Sequence, residues 1–258
     1  MRTQEQVRAL SRAGLAGMAV PGSMPDPLDT RVGGPLIVPK GKKAPTNQFG
    51  KPLLQLLLLR LSDLPRTEGN VLPESGWIQV LIEPDDPLDI PDASNQSAGF
   101  RVIQFEDGTA FDVSPVDPTA EGLDMIWNGF AEGEGVMSTG LSLTFEPVIE
   151  IAPNTHYKLE KLPDGRRTKA FEDAFDAQYN ALENERISCD VMIGGQAAFT
   201  QDDIRFYSGY GGLENLIRMS GSGQVFLWGD VGEANILVPV GDLGTGNLGN
   251  AVFHLDFH

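Results

Sequence analysis

The side chains with the means to do chemistry in this sequence are gathered in a few stretches. From Gly223 to Val238 the chain reads G-Q-V-F-L-W-G-D-V-G-E-A-N-I-L-V, which sets two carboxylates, Asp230 and Glu233, near a large aromatic, Trp228. Between Pro84 and Asn95 lie Asp85, Asp86, Asp89, Asp92 and Asn95, oxygen ligands of the kind that hold Ca2+. At the end of the chain His254, Asp256 and His258 alternate with Phe253, Leu255 and Phe257. In a strand, that alternation puts imidazole and carboxylate on one face, a donor set suited to zinc. Cys189 is the single thiol.

Each stretch also has a plainer reading. The 84–95 loop lacks the central Gly and closing Glu of a Ca2+ loop, and Pro87 and Pro91 stiffen it, so it reads as an exposed acidic loop. Same-face neighbours along a strand stand about 7 Å apart, too far for His254, Asp256 and His258 to close on one ion. No metal site and no cofactor are expected. Cys189 has no histidine near it in sequence and reads as a small packing residue. Asp230 sits among Gly229, Val231 and Gly232, where an aspartate commonly bonds its own backbone. On a loop, Asp230 and Glu233 together would instead face a partner. No G-x-S-x-G, H-E-x-x-H or phosphate-loop pattern is present, and Gly209-Tyr210-Gly211-Gly212 has no lysine after it. Binding is therefore expected rather than catalysis.

The formal net charge is −17 over 258 residues, which repels nucleic-acid backbones and steers basic partners toward the surface. Lys40, Lys42 and Lys43 form the basic cluster and read as a solvated loop. One cysteine excludes an internal disulfide and a cysteine-based zinc site. The longest apolar run, Leu53 to Leu59, falls far short of the roughly 20 residues a membrane-spanning helix needs. The apolar patch at Ala13–Val20 does not make a signal peptide, and a cytoplasmic protein is expected.

The elements that would position these residues are mostly strands. The spacing of Val7, Leu10, Leu15 and Met18 predicts a helix over Thr3–Val20, stopped by Pro21-Gly22, with an irregular linker to residue 30. Strands are expected at Leu36–Val38, Leu53–Leu61, Gly76–Ile82, Phe100–Phe105 and Ala110–Val113, the last two joined by an Asp107-Gly108 turn. Two more are expected at Leu141–Phe145 and Val148–Ile151. Phe171, Phe175, Tyr179 and Leu182 predict a core-facing helix over Lys169–Arg186. Gln224–Trp228 and Ala234–Val240 read as the two arms of a β-hairpin, and Ala251–His258 as a closing strand.

The chain also repeats an order of signals. Gly33-Gly34 is followed about 20 residues on by Leu54-Gln55-Leu56, and Gly194-Gly195 at a similar offset by Glu214-Asn215-Leu216. Each copy then offers a strand containing Gln-Val. The expected fold is α+β and β-rich, mostly antiparallel, in two related halves at about 31–150 and 190–258 joined by a helical segment.

The order Gly33-Gly34-Pro35, Leu54-Gln55-Leu56, Gly76-Trp77-Ile78, Gly194-Gly195, Trp228-Gly229-Asp230-x-Gly232 and Asp242-Leu243 resembles the YwqG-like family, over roughly residues 31–258. Where the second copy usually has Gly-aromatic-Pro, this chain has Gly194-Gly195-Gln196. The resemblance carries no catalytic mechanism. By genomic setting some members look like immunity proteins that neutralise toxins, which implies a protein-binding role. The expected binding surface combines Asp230 and Glu233 with Asp85, Asp86 and Asp89, facing a basic protein such as a toxin. The alternative is a small-ligand binder or enzyme with a pocket near Gln55, Trp228 and Asp230.

Overall fold

The computed structural model describes residues 2–85, 93–94, 99–115, 123–129, 135–152, 168–183, 188–207 and 209–257. The expected sites Asp86, Asp89 and His258 lie outside the described residues. In chain order the elements are α1 (Arg2–Arg8), β1 (Ser11–Ala19), β2 (Arg31–Val32), β3 (Leu36–Pro39), β4 (Leu54–Arg60), β5 (Trp77–Ile82), β6 (Ala93–Ser94), β7 (Phe100–Phe105), β8 (Phe111–Ser114) and α2 (Leu123–Ile126). They continue with β9 (Leu141–Ile151), α3 (Lys169–Glu183), β10 (Val191–Gly194), β11 (Leu213–Ser220), β12 (Glu233–Pro239) and β13 (Val252–Asp256). The fold is β-rich and its named strand pairs are antiparallel. An 11-stranded sheet runs β6-β13-β12-β11-β10-β1-β9-β2-β4-β5-β7, and β3 pairs with β8 as a separate ribbon.

A sheet of this length must curl or split to bury its apolar surface. This one curls. Phe100 on β7 stacks on Phe253 of β13, from the other end of the strand order, with ring centroids 5.0 Å apart. The interior of the curl is the main core, built from Leu15, Leu56, Ile78, Ile217 and Ile236. A stack of Trp127, Phe226 and Trp228, with successive centroids 5.2 and 5.4 Å apart, is part of the same core. A second, smaller core lies outside, where Val7 and Leu10 pack on Phe171 and Phe175 of α3. The aromatic stripe of α3 thus faces a core, as its spacing implies. Among the described residues no helix is long and apolar enough to cross a membrane.

Three expectations are corrected. The helix stops at Arg8, and Ser11–Ala19 is a strand near the centre of the sheet, with Gly14 opposite both Gly194 of β10 and Val148 of β9. Close approach is the reason. A side chain at Gly14 would lie 2.9 Å from the Gly195 amide nitrogen, and one at Gly69 would lie 2.6 Å from the Gly14 backbone. Small residues that weaken a helix are what this crowded strand requires.

Gln224–Trp228 is not a strand. It belongs to the long connection between β11 and β12, and Phe226 makes only an isolated bridge to Trp127. Its backbone donors are taken elsewhere: Gln224 and Val225 donate to the Asp190 carboxylate, and Leu227 and Gly229 to the Ile126 and Met125 carbonyls. Glu233, expected on the loop with Asp230, is the first residue of β12.

The two short strands expected around Pro147 are one strand, β9. A proline removes a ladder donor and is tolerated at a strand edge. Here β2 covers only Leu141 and Ser142, so β9 at Pro147 has β1 alone as its neighbour.

Candidate functional site

Both Gly-Gly turns follow short strands and run in the left-handed region, with φ of 68° and 76° at Gly33 and Gly34 and 64° and 61° at Gly194 and Gly195. Each turn is tied down by a side-chain amide at a bulge in the next strand but one or the next strand. Gln55 Nε2 donates to the Gly33 carbonyl at 2.9 Å, with the register of β4 shifting between Gln55 and Leu57. Asn215 Nδ2 donates to the Gly194 carbonyl, with the register of β11 shifting between Asn215 and Ile217. One strand further on, Gln79 Nε2 donates to Ile37 O at 3.0 Å and Asn235 Nδ2 to Ala198 O at 2.7 Å. Buried amides must be paired, and these pairs clamp two covering segments, at Ile37 and Ala198, onto the face of the sheet turned away from the main core.

The two frames differ in what stands beside them. Opposite Gln79 is Leu58; opposite Asn235 is Arg218. The Arg218 side chain is only 5% exposed. Its Nη2 donates to Glu150 Oε1 at 3.0 Å, its Nη1 to the Gln196 carbonyl at 2.9 Å, and its Nε lies 3.8 Å from Glu233 Oε2. Glu150 Oε2 in turn accepts the Gln196 amide at 2.8 Å, and Glu233 Oε1 accepts the Ser220 hydroxyl at 2.7 Å. Burial opposes the charge on Arg218, but Glu150 and Glu233 outweigh it and hold the guanidinium more firmly protonated than usual. Gly195 is required here, because a side chain on it would run into Glu150 Oε2.

This cluster borders a cavity of about 630 Å3. Gly14 of β1, Pro147–Ile151 of β9, Met192 of β10, Arg218 of β11 and Gln196–Ala198 form its floor and walls, and Tyr179 and Leu182 of α3 reach it from outside. Cys189 is close to Arg218, but burial pushes its thiol pKa up, so it stays protonated and makes a poor nucleophile. That agrees with a packing role beside Ala16 and Met192.

A second buried network lies further along β11. Asp203 accepts from Arg205 Nε and Nη2, both at 2.7 Å, and Glu214 joins Arg205 to Arg12 with contacts of 3.7 and 2.9 Å. On β13, Asp256 Oδ2 accepts the Thr200 and Gln201 amides at 2.9 and 3.0 Å. Burial raises the Asp256 pKa despite those bonds and the nearby His254. Among the described residues no group of three His, Cys, Asp or Glu side chains is placed to hold a metal.

The residues singled out by sequence fall in different places. Gln55 is fully buried in the frame of the first turn. Trp228 is fully buried in the main core, and Asp230 beside it is exposed. Glu233 is buried with Ser220 and Arg218 rather than displayed with Asp230. Asp85 pairs with Lys51 at 2.6 Å. None of Gln55, Trp228 and Asp230 lines the cavity at Arg218. Sequence reasoning gave no site role to Arg218 or Glu150, and noted Gln196 only as a departure from the usual Gly-aromatic-Pro. The available signal was a charged residue, Arg218, set between Ile217 and Met219 in the run Leu216–Met219.

No curated protein matches the chain. A family profile matches residues 30–256, from the strand before the first Gly-Gly turn to the last residue of β13. The chain therefore belongs to the DUF1963 family, a domain of unknown function.

Proposed function

We propose that this chain is a protein-binding module of the inhibitor or immunity type, and that the turn Trp228-Gly229-Asp230-Val231 is part of its binding face. The observation that carries the reading is the build of that turn. Among the described residues, Trp228 and Val231 are the non-glycine residues in the left-handed region, with φ of 52° and 53°. Such backbone costs about 1–3 kcal/mol per residue and persists where surrounding structure imposes it, often at binding loops. Trp228 is fully buried while Val231 is 44% exposed and Asp230 is exposed, so the strain presents a carboxylate and an apolar side chain on a rigid base. A net charge of −17 favours a basic protein as the partner, and neither nucleic acid nor a membrane. Asp85, with Asp86 and Asp89, would extend the acidic face.

Within the DUF1963 family we place the chain with YwqG-like members, on the W-G-D-x-G turn and the paired Gly-Gly turns. We also read residues 31–258 as one domain of two halves related by duplication. The matching amide clamps at Gln55 and Asn215, each at a bulge, support that reading. A cytoplasmic setting suits the partner proposed.

The test compares tagged wild-type protein with Asp230→Lys in pull-downs eluted by a salt gradient. A basic protein retained by wild type at low salt, released by moderate salt and lost with the variant supports the proposal. Equal retention by both proteins removes the turn from the binding face.

A further inference from the structure

We infer that the cavity at Arg218 binds a small organic cation, an amine with an apolar body. Its volume of about 630 Å3 falls within the range of about 300–1,000 Å3 typical of ligand sites. Val148, Ile151, Leu182 and Met192 supply apolar wall, and Tyr179 adds an aromatic ring. A ligand held here is therefore largely apolar, and the charged residues decide its head group.

Those charges are unbalanced in one direction. Among the described residues that line the cavity, Arg218 is the cation, and Glu68 and Glu150 are the anions. Arg218 is already engaged by Glu150, by the Gln196 carbonyl and by Glu233 behind it. An entering anion would meet a guanidinium whose charge is spent, and two carboxylates that repel it. An entering ammonium would meet Glu150, whose side chain is 17% exposed. Each Glu150 oxygen accepts one hydrogen bond, from Arg218 and from the Gln196 amide, and a carboxylate has about four acceptor sites, so capacity remains. Against the partly buried Glu150 such a pair is worth more than on the open surface, and a cation over a tyrosine ring gains further. The net charge of −17 raises the local concentration of cations.

The polar cluster is also more than the fold needs. The position of Arg218 opposite Asn235 is matched in the first frame by Leu58 opposite Gln79, and that frame holds its own turn with Gln55 and with the buried Arg31, which donates to the Pro35 carbonyl and has no carboxylate hydrogen-bonded to it among the described residues. What the second frame adds is the carboxylate that engages its arginine, and both Arg218 and that partner, Glu150, line the cavity. This inference stands apart from the protein-binding proposal, since Asp230 does not line the cavity.

The experiment is isothermal titration calorimetry of the full chain with phenethylammonium chloride, alongside the neutral 2-phenylethanol and the anionic 3-phenylpropanoate. For so small a ligand the expected Kd is in the millimolar range, so the titration runs to ~20 mM. The amine should bind roughly tenfold tighter than the alcohol, as a charge-assisted hydrogen bond implies, and the propanoate weaker still. Amide shifts should fall on Gly14, Gly195 and Ala198. Glu150→Gln should weaken the amine roughly tenfold. Because that change also loosens Arg218, Leu182→Trp serves as the second variant. It fills the cavity from the half-buried face of α3 and should abolish binding with an unchanged Tm. The inference fails if the alcohol or the propanoate binds as well as the amine. It also fails if the amine gives neither heat nor amide shifts, or if Leu182→Trp binds it as wild type does.

Discussion

Asp190 offers the sharpest test of how this fold is held. It is 1% exposed, and its two oxygens accept three backbone amides: Ala19 at 2.9 Å, Gln224 at 2.6 Å and Val225 at 2.9 Å. One carboxylate therefore ties the end of β1 to the connection that carries Trp228. Asp190→Ala leaves three N–H groups without that acceptor. Each buried donor left unpaired costs about 1–3 kcal/mol, and relaxation of the 221–232 connection recovers part of it, so the expected loss is ~4 kcal/mol. Against a total stability of about 5–15 kcal/mol the variant should still fold in the cold. Asp190→Asn keeps one oxygen for Gln224 and Val225 but turns an NH2 toward the Ala19 amide, and should cost ~2 kcal/mol. Urea unfolding followed by the fluorescence of the buried Trp127 and Trp228 reads both values. With a slope of about 3 kcal/mol per molar, the midpoints should drop by ~1.3 M and ~0.7 M at unchanged slope. A loss under ~1 kcal/mol for the alanine variant, or equal losses for both, would refute the reasoning.

Three further outcomes follow from the geometry. Gly195→Ala should destabilise by ~2–4 kcal/mol, because it combines a left-handed φ of 61° with displacement of Glu150, and a thermal melt checks it. Asp256 has a raised carboxyl pKa, chiefly from burial, so its contribution to stability is present below the ordinary value of 3.8 and is lost as pH rises through the folded value. Asp256→Asn should therefore gain on wild type as pH rises from 4 to 7, in urea midpoints compared at both ends; a gain that shrinks with rising pH contradicts this. Cys189 is 4% exposed with its thiol pKa raised by burial, so a thiol reagent at pH 8 should label it only after denaturant is added.

What the sequence disclosed was the local part of the structure. Leu54–Arg60 reads as a buried strand because its run of leucines is too short for a helix and lies between prolines, and it is β4, buried at six of its seven positions. Trp77–Ile82 and Val252–Asp256 were legible for similar reasons of length and alternation. Ser11–Ala19 was not, because its glycines and alanines answer to contacts with Met192, Phe145 and Gly69, none of them near in sequence. The connection at 221–232 misled in the opposite way: its side chains suit a strand, but Asp190 and α2 take its backbone donors. The cavity was beyond reach for the same reason, since Arg218 and Glu150 lie 68 residues apart. The registers of β9, β1, β10 and β11 together bring them close.

The place of β1 has a consequence for how the protein is made. Residues 11–19 leave the ribosome well ahead of their partners, Leu143–Ile151 and Val191–Gly194. At a synthesis rate of about 5–20 residues per second, the strand waits roughly 10–35 s for its second neighbour. A longer, leucine-rich strand exposed for that time would invite pairing with other nascent chains. The sequence S-R-A-G-L-A-G-M-A carries only two large apolar side chains and two glycines. The composition that suits a crowded place in the finished sheet also makes a poor template for aggregation while the chain is incomplete.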